Sequence, residues 1–483
     1  GLLLSGATLS GAYINATGET NTAYTGFAWN GGQIKTTGTT GTSTASVVKG
    51  ISAASTTSSN GYGALMMFAD GSINAATGTT LTLAGEATTL VAGQNIKERG
   101  ILIQGGRTLT MSGDITFDGS SKSSEGIAFG GTINMATVAG VTNKLTLKGT
   151  AAASSNASLN AVNFSGVING NAATSSINLI GEAKNLSGTN YDTAVNISST
   201  GSITGNGANV NVQALYGKMS LDGAITGANI SIDNTGGTID TSTGVITAGT
   251  GTSNYTNAVN INKAVTATGN INVLGRVATT TNTGVNLTAT SPITSSGAAA
   301  TINIASNGNV ANAAAISDTA STGTGSNINL TSTSGTITGA GAIGDTTNKN
   351  ASVTFMQAGT STYNGAINAA NFTKADAGAL TLDSWIAPTL VATNVSNAYT
   401  VKAGSLTIAP GATYAQLNPA SVNVENASTF AISTSANGWW KNTAFNFTGG
   451  LGGGIMNLGG NPIAQGSTTN TFSTSGGATN TIT

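Results

Sequence analysis

The sequence predicts an all-β solenoid, a stack of coils built from short strands. Three observations carry that expectation. The first is a recurring triplet of apolar residue, asparagine and apolar residue: Ile133-Asn134-Met135, Val162-Asn163-Phe164, Ile177-Asn178-Leu179, Val195-Asn196-Ile197, Val210-Asn211-Val212, Ile271-Asn272-Val273 and Ile302-Asn303-Ile304 among others. A threonine version alternates with it, as in Leu81-Thr82-Leu83, Ile115-Thr116-Phe117, Leu145-Thr146-Leu147 and Leu380-Thr381-Leu382. Successive strand side chains point to opposite faces, so each triplet turns two apolar residues to a core and one polar residue outward. The second is spacing: the triplets return at irregular steps of roughly 12–29 residues, the mark of a repeat array. The third is what separates them, turns of Gly, Asn, Ser and Thr with no apolar period of 3.6 that would make a helix.

Taken in order, residues 1–130 form irregular first coils, alternating short apolar pieces such as Ala12-Tyr13-Ile14, Phe27-Ala28-Trp29 and Val47-Val48 with polar turns. Their densest charge, Lys97-Glu98-Arg99, reads as a solvated turn between strands. Residues 131–350 are the regular array: a triplet, a turn, then a second short strand such as Ser202-Ile203-Thr204 or Thr336-Ile337-Thr338. Residues 351–445 continue it with further strand repeats, and residues 446–483 are a Gly/Ser/Thr-rich terminal segment. At roughly 20 residues per coil the chain would make about 24 coils and a rod on the order of 110 Å long. Stacked asparagines would then hydrogen-bond along the axis, as in cross-β assemblies.

Composition narrows the function. Charged residues are 7% of the 483, the net charge is -1, and there are five prolines. Disordered chains carry more charge and more proline than this. The arginines are Arg99, Arg107 and Arg276, far from the basic footprint that nucleic acid requires. With no Cys there is neither a disulfide framework nor thiol chemistry, and with no His the usual general base and metal ligand are missing. The longest apolar stretch, Ala64-Leu65-Met66-Met67-Phe68, is far too short to span a membrane. Gly1-Leu2-Leu3-Leu4 reads as the middle of a strand, so the chain reads as a mature or internal part of a longer product.

Few groups in the sequence could carry chemistry. Asp114 and Asp118 flank Ile115-Thr116-Phe117 on one face. Four strand residues put them about 13 Å apart, beyond the carboxylate separations of glycoside hydrolysis. Asp376 and Asp383 read as turn residues, and Gly236-Gly237-Thr238-Ile239-Asp240 as a plain turn rather than a calcium repeat. Gly449-Gly450-Leu451-Gly452-Gly453-Gly454 is followed by neither Lys nor helix, so it is no phosphate loop. Trp439-Trp440 is the one large aromatic pair. It either contacts a sugar or partner or covers an irregular coil near one end. No catalytic, cofactor or metal residue is assigned.

Residues 372–382, Phe372-Thr373-Lys374-Ala375-Asp376-Ala377-Gly378-Ala379-Leu380-Thr381-Leu382, resemble the strand repeat of bacterial autotransporter passenger domains, with Asp376 where that repeat carries its first Gly. Ser361-Thr362-Tyr363-Asn364-Gly365-Ala366 and Thr400-Val401-Lys402-Ala403-Gly404-Ser405-Leu406-Thr407-Ile408 resemble other pieces of the same family, so the likeness covers 361–411. Residues 195–340, with Gly269-Asn270-Ile271-Asn272-Val273 and Ser334-Gly335-Thr336-Ile337, resemble filamentous-haemagglutinin-type exoproteins. The resemblance implies a right-handed parallel β-helix, secreted to the outer surface of a Gram-negative bacterium. The expected function is a structural or adhesive rod meeting a host or surface glycan or protein. A self-assembling surface-layer or filament subunit, joined through coil ends or edges, is the alternative, since low charge does little to oppose association. A carbohydrate-active enzyme is a third reading. No cofactor, nucleic-acid partner or membrane span is expected.

Overall fold

The computed structural model describes residues 1–21, 25–38, 45–53, 62–88, 98–152, 160–183, 193–234, 238–239, 246–247, 257–319, 326–344, 352–383, 398–408, 421–425, 427–432, 444–448, 454–457, 471–474 and 480–483. Among them there is no α-helix, and nearly every strand pairs in parallel with a strand one coil away. The chain is an all-β parallel solenoid in two compact units, Gly1–Thr268 and Gly269–Thr483.

In the first unit each full coil supplies one strand to one sheet and a bent pair of strands to the other. Asp114–Ser121 lies in the first sheet; Ile127–Phe129 and Thr132–Met135 lie in the second; Asn143–Ala151 then returns to the first. The register is regular: Leu81, Ile115 and Leu145 align, followed by Ile177 and Val210. In the second sheet Ile101, Ile127, Val162 and Val195 align. These side chains are wholly buried. Like stacks on like along the core: Phe129 and Phe164 sit in register with ring centroids 5.0 Å apart. One strand pair stands outside this scheme, Thr238–Ile239 antiparallel to Ile246–Thr247.

Glycine shapes the cross-section. Gly85, Gly119, Gly149 and Gly181 form one inward column. A Cβ on them would lie 2.0, 2.2, 2.1 and 2.1 Å from the carbonyl oxygens of Gly100, Gly126, Ala161 and Ala194 in the opposite sheet. No side chain fits, so the two sheets meet there backbone to backbone. The sequence reading puts glycine at corners; the structure adds this column within the strands. Its signature is nevertheless present: the triplet is followed two residues later by Gly, as in Leu81-Thr82-Leu83-Ala84-Gly85 and Leu145-Thr146-Leu147-Lys148-Gly149.

The second unit repeats the plan with shorter strands. Ile271–Gly275, Thr301–Ser306, Asn327–Ser332, Ser352–Gln357 and Asn371–Ala375 pair in order, with Ile302, Ile328, Val353 and Phe372 in one core column. Gly275 keeps the close approach, its added Cβ meeting the Gly284 oxygen at 2.0 Å. The next coils put Ser306, Ser332 and Gln357 at that position. Gln357 is fully buried: its Oε1 accepts from Ile337 N at 3.1 Å, and its Nε2 donates to Ala379 O at 2.8 Å.

Coil length departs from expectation. Ladder bonds join residues 33 apart at Asn211 and Asn178, 31 apart at Asn303 and Asn272, 26 apart at Asn329 and Asn303, and 23 apart at Asn446 and Asn423. The estimate of 20 residues per coil, and the coil number and rod length built on it, are therefore corrected. Triplets occur in both sheets of one coil, Val195-Asn196-Ile197 in one and Val210-Asn211-Val212 in the other. The step between triplets was thus a fraction of the repeat.

Candidate functional site

The outer faces of the sheets carry the polar middles of the triplets, and these form ladders. Asn303 Nδ2 donates to Asn272 Oδ1 at 2.9 Å, and Asn329 Nδ2 to Asn303 Oδ1 at 2.8 Å. Asn196 donates to Asn163 at 2.9 Å and Asn169 to Asn134 at 2.8 Å. In each of these bonds the later residue donates and the earlier accepts, so the amide dipoles align along the stack. The core members behave as expected: Val210, Val212, Ile302 and Ile304 are wholly buried. Asn303 is half-buried on the outer face. Asn211 differs, being only 3% exposed, with Asn178, Gln213, Ser231 and Asp233 buried beside it. Alternation decides which face a side chain takes, not whether that face meets water. Asn178 donates to Thr146 Oγ1 and to the Leu145 carbonyl at 3.3 Å each, and accepts from Asn211 at 2.8 Å.

Asp114 and Asp118 share the outer face, and the structure gives each a cross-coil partner. Lys144 lies in register with Asp114 and Lys148 with Asp118. Lys148 Nζ stands 3.3 Å from Asp118 Oδ2. Burial raises the Asp114 pKa and the Lys144 charge opposes the shift. A further pair, Lys49 Nζ and Glu86 Oε2 at 2.7 Å, lies on the same sheet. Asp118 and Glu86 are thus ion-paired across coils, while Asp114 faces a lysine in register.

Of Lys97-Glu98-Arg99, Lys97 lies outside the described residues, Arg99 opens the strand Arg99–Ile103, and Glu98 is less exposed than expected, at 5%. Ser52 Oγ donates to Glu98 Oε1 at 3.0 Å, and Ser121 Oγ to the Glu98 carbonyl at 2.6 Å. Oε2 has no hydrogen-bond partner. Burial raises the Glu98 pKa against the lowering effect of Ser52. Arg99 Nε lies 3.0 Å from Glu125 Oε2, whose Oε1 accepts from Asn163 at 3.5 Å, so one ladder ends on an ion pair. The correction comes from the neighbouring coils, which fold over Glu98 from either side.

Lys374 is fully buried, at the inward position two after Phe372. Its Nζ donates to the carbonyls of Ala375 and Asp376, each at 2.7 Å. Burial lowers its pKa from the usual 10.5 to about 8, against the raising charge of Asp376. Asp376 itself has φ 72, a left-handed conformation that Gly takes freely and Asp tolerates. The signal was available, since alternation puts Phe372 and Lys374 on one face. Within the stretch 361–411, Leu380, Thr381 and Leu382 align with Leu406, Thr407 and Ile408.

Trp439, Trp440 and Gly449 to Gly453 lie outside the described residues, as do Gly236, Gly237 and Asp240. Among the described residues no group of three or more His, Cys, Asp or Glu is placed to hold a metal ion, and no helix is long and apolar enough to cross a membrane. No family model, no curated protein and no solved structure matches this chain.

Proposed function

We propose that this chain is an extracellular structural and adhesive solenoid at the outer surface of a Gram-negative bacterium, wound as a right-handed β-helix in keeping with the handedness of parallel crossovers. The observation that carries the reading is the division of labour within each coil. Apolar side chains are consumed in the core, while the outer faces present repeated amide and hydroxyl groups locked in ladders. Such a surface offers many equivalent weak contacts on a stiff support, which favours attachment through multivalency. Asp118 is taken up by its ion pair with Lys148 and Asp114 faces Lys144 in register, and no catalysis is proposed. The test is attachment of beads coated with the purified chain to animal-cell monolayers and matrix-coated wells, against albumin-coated beads. Retention above the control is expected; equal retention overturns the adhesive role.

A second reading, a self-assembling layer or filament subunit, is favoured by one observation: charged residues are 7% of the chain and the net charge is -1, which does little to oppose association between copies.

A further inference from the structure

One sheet face in unit Gly269–Thr483 differs in charge from the corresponding sheet of unit Gly1–Thr268. The latter carries Asp114, Asp118, Lys144 and Lys148 in cross-coil register, and the Lys49–Glu86 pair. Strands Ile271–Gly275, Thr301–Ser306, Asn327–Ser332 and Ser352–Gln357 contain no charged residue. Their outward side chains form three uncharged columns: Thr301, Asn327 and Ser352 in one, Asn303, Asn329 and Thr354 in the next, and the less polar Ala305, Thr331 and Met356 in the third, with Met356 40% exposed. The columns stand two strand residues apart, about 6.7 Å, and step about 4.8 Å from coil to coil.

Much of this polar capacity is left over. An asparagine amide has two N–H donors and two acceptor lone pairs. Asn303 uses one donor on Asn272 and one lone pair for Asn329. The ladder fixes the amide plane, so the remaining donor and acceptor are held in place without further loss of entropy on binding. Among the described residues the side chains of Thr301, Asn327 and Thr354 make no hydrogen bond, and Asn327 is exposed. The face therefore repeats paired donors and acceptors that the protein does not satisfy itself.

We propose that this face binds a neutral, hydroxyl-rich polysaccharide laid along the columns. The proposal rests on the adhesive reading and names its ligand class. Sugar hydroxyls both donate and accept, as do the side chains of the first two columns, and a repeating polymer can meet successive coils. A face without cations gives no advantage to an anionic polymer and makes binding indifferent to salt. The outward positions of these strands carry no aromatic ring, so no stacking contributes and each contact is weak. Affinity accumulates with polymer length.

The test is retention of the full chain on microcrystalline cellulose, chitin and cross-linked dextran, with carboxymethyl-cellulose as the anionic counterpart. The variant is Thr301→Ala/Asn327→Ala/Thr354→Ala, which removes only groups that make no bond inside the protein; circular dichroism checks that its fold is kept. Wild type is expected on at least one neutral polymer, equally at about 0.1 M and about 1 M salt. The variant should be retained at least tenfold less, about 1.4 kcal/mol. Failure on all three neutral polymers, unchanged retention of the variant, or retention confined to the anionic polymer at low salt overturns the proposal. If coated beads still attach to cells while all three polymers fail, the adhesive reading stands and this one falls. If bead attachment fails while cellulose binding holds, the reverse is true.

Discussion

At the residue scale, the side chains most revealing of the fold are those that break its pattern. Ile302 and Asn303 are neighbours with opposite duties, one wholly buried and one in a ladder. Ile302→Asp buries an unpaired charge and should cost more than about 4 kcal/mol in denaturant unfolding. Asn303→Asp loses one amide donor but still accepts from Asn329, so about 1–3 kcal/mol is expected. Comparable costs would mean the two faces are not distinguished as described. Glu98 and Lys374 are charges the fold holds against desolvation. The folded pKa of Glu98 is raised, so the unfolded chain releases its proton first as pH rises from 4.5. The wild type therefore loses stability above that pH, and Glu98→Gln should be the more stable protein at pH 7, the advantage vanishing below about pH 4. For Lys374 the folded pKa, about 8, lies below the unfolded 10.5. The unfolded chain binds the extra proton in that interval, so stability rises with pH from about 8 towards 10.5. Lys374→Met should remove that rise, roughly 1–3 kcal/mol, when unfolding is compared at pH 7 and pH 10.

At the element scale, the strand pairs and the glycine column set the coil's cross-section. Gly149→Ala places a Cβ 2.1 Å from the Ala161 carbonyl oxygen and 2.7 Å from its carbonyl carbon, backbone atoms that cannot swing aside, with Val162 Cγ2 at 2.8 Å. Gly140 is the contrast: its φ is 74 and nothing lies within 4 Å of an added Cβ. Gly140→Ala should cost about 1–2 kcal/mol, from backbone conformation alone. Gly149→Ala should cost clearly more, because the two sheets must separate locally. Equal melting temperatures for the two variants would refute the close approach. The aromatic contacts act at the same scale: Phe355 meets Phe372 of the next coil at 5.5 Å and Tyr363 of the facing sheet in its own coil at 5.1 Å, tying the core of the second unit along and across the stack.

At the scale of the whole molecule, the absence of helix among the described residues is itself measurable. Far-ultraviolet circular dichroism should show strand with less than about a tenth helix. Assembly belongs here too. The low charge, 7% of residues with a net charge of -1, predicts association between copies at micromolar concentration in sedimentation velocity. A clean monomer over that range would remove the filament reading and leave the adhesive one untouched.

The alternation of Ile302, Asn303 and Ile304, and of Leu145, Thr146 and Leu147, was enough to say which side chains enter the core, because the period of two is a local property of the strand. The same local rule put Phe372 and Lys374 on one face, and the lysine follows it even at the cost of desolvation. Which strands stack was not local. The step from Asn178 to Asn211 depends on the lengths of the corners and on the second sheet between them, and the triplets alone gave too short a repeat. The ion pairs of Asp118 with Lys148 and Lys49 with Glu86 follow from that register and so escaped the sequence. Alternation puts Asn211 on the outer face, where it stays, and Glu98 reads as part of a solvated turn; neighbouring coils and the covered outer face bury both. Sequence determined the face each residue takes, since sterics along one strand decide it. Tertiary structure decided what each face meets, since that is fixed by residues 20 to 40 positions away along the chain.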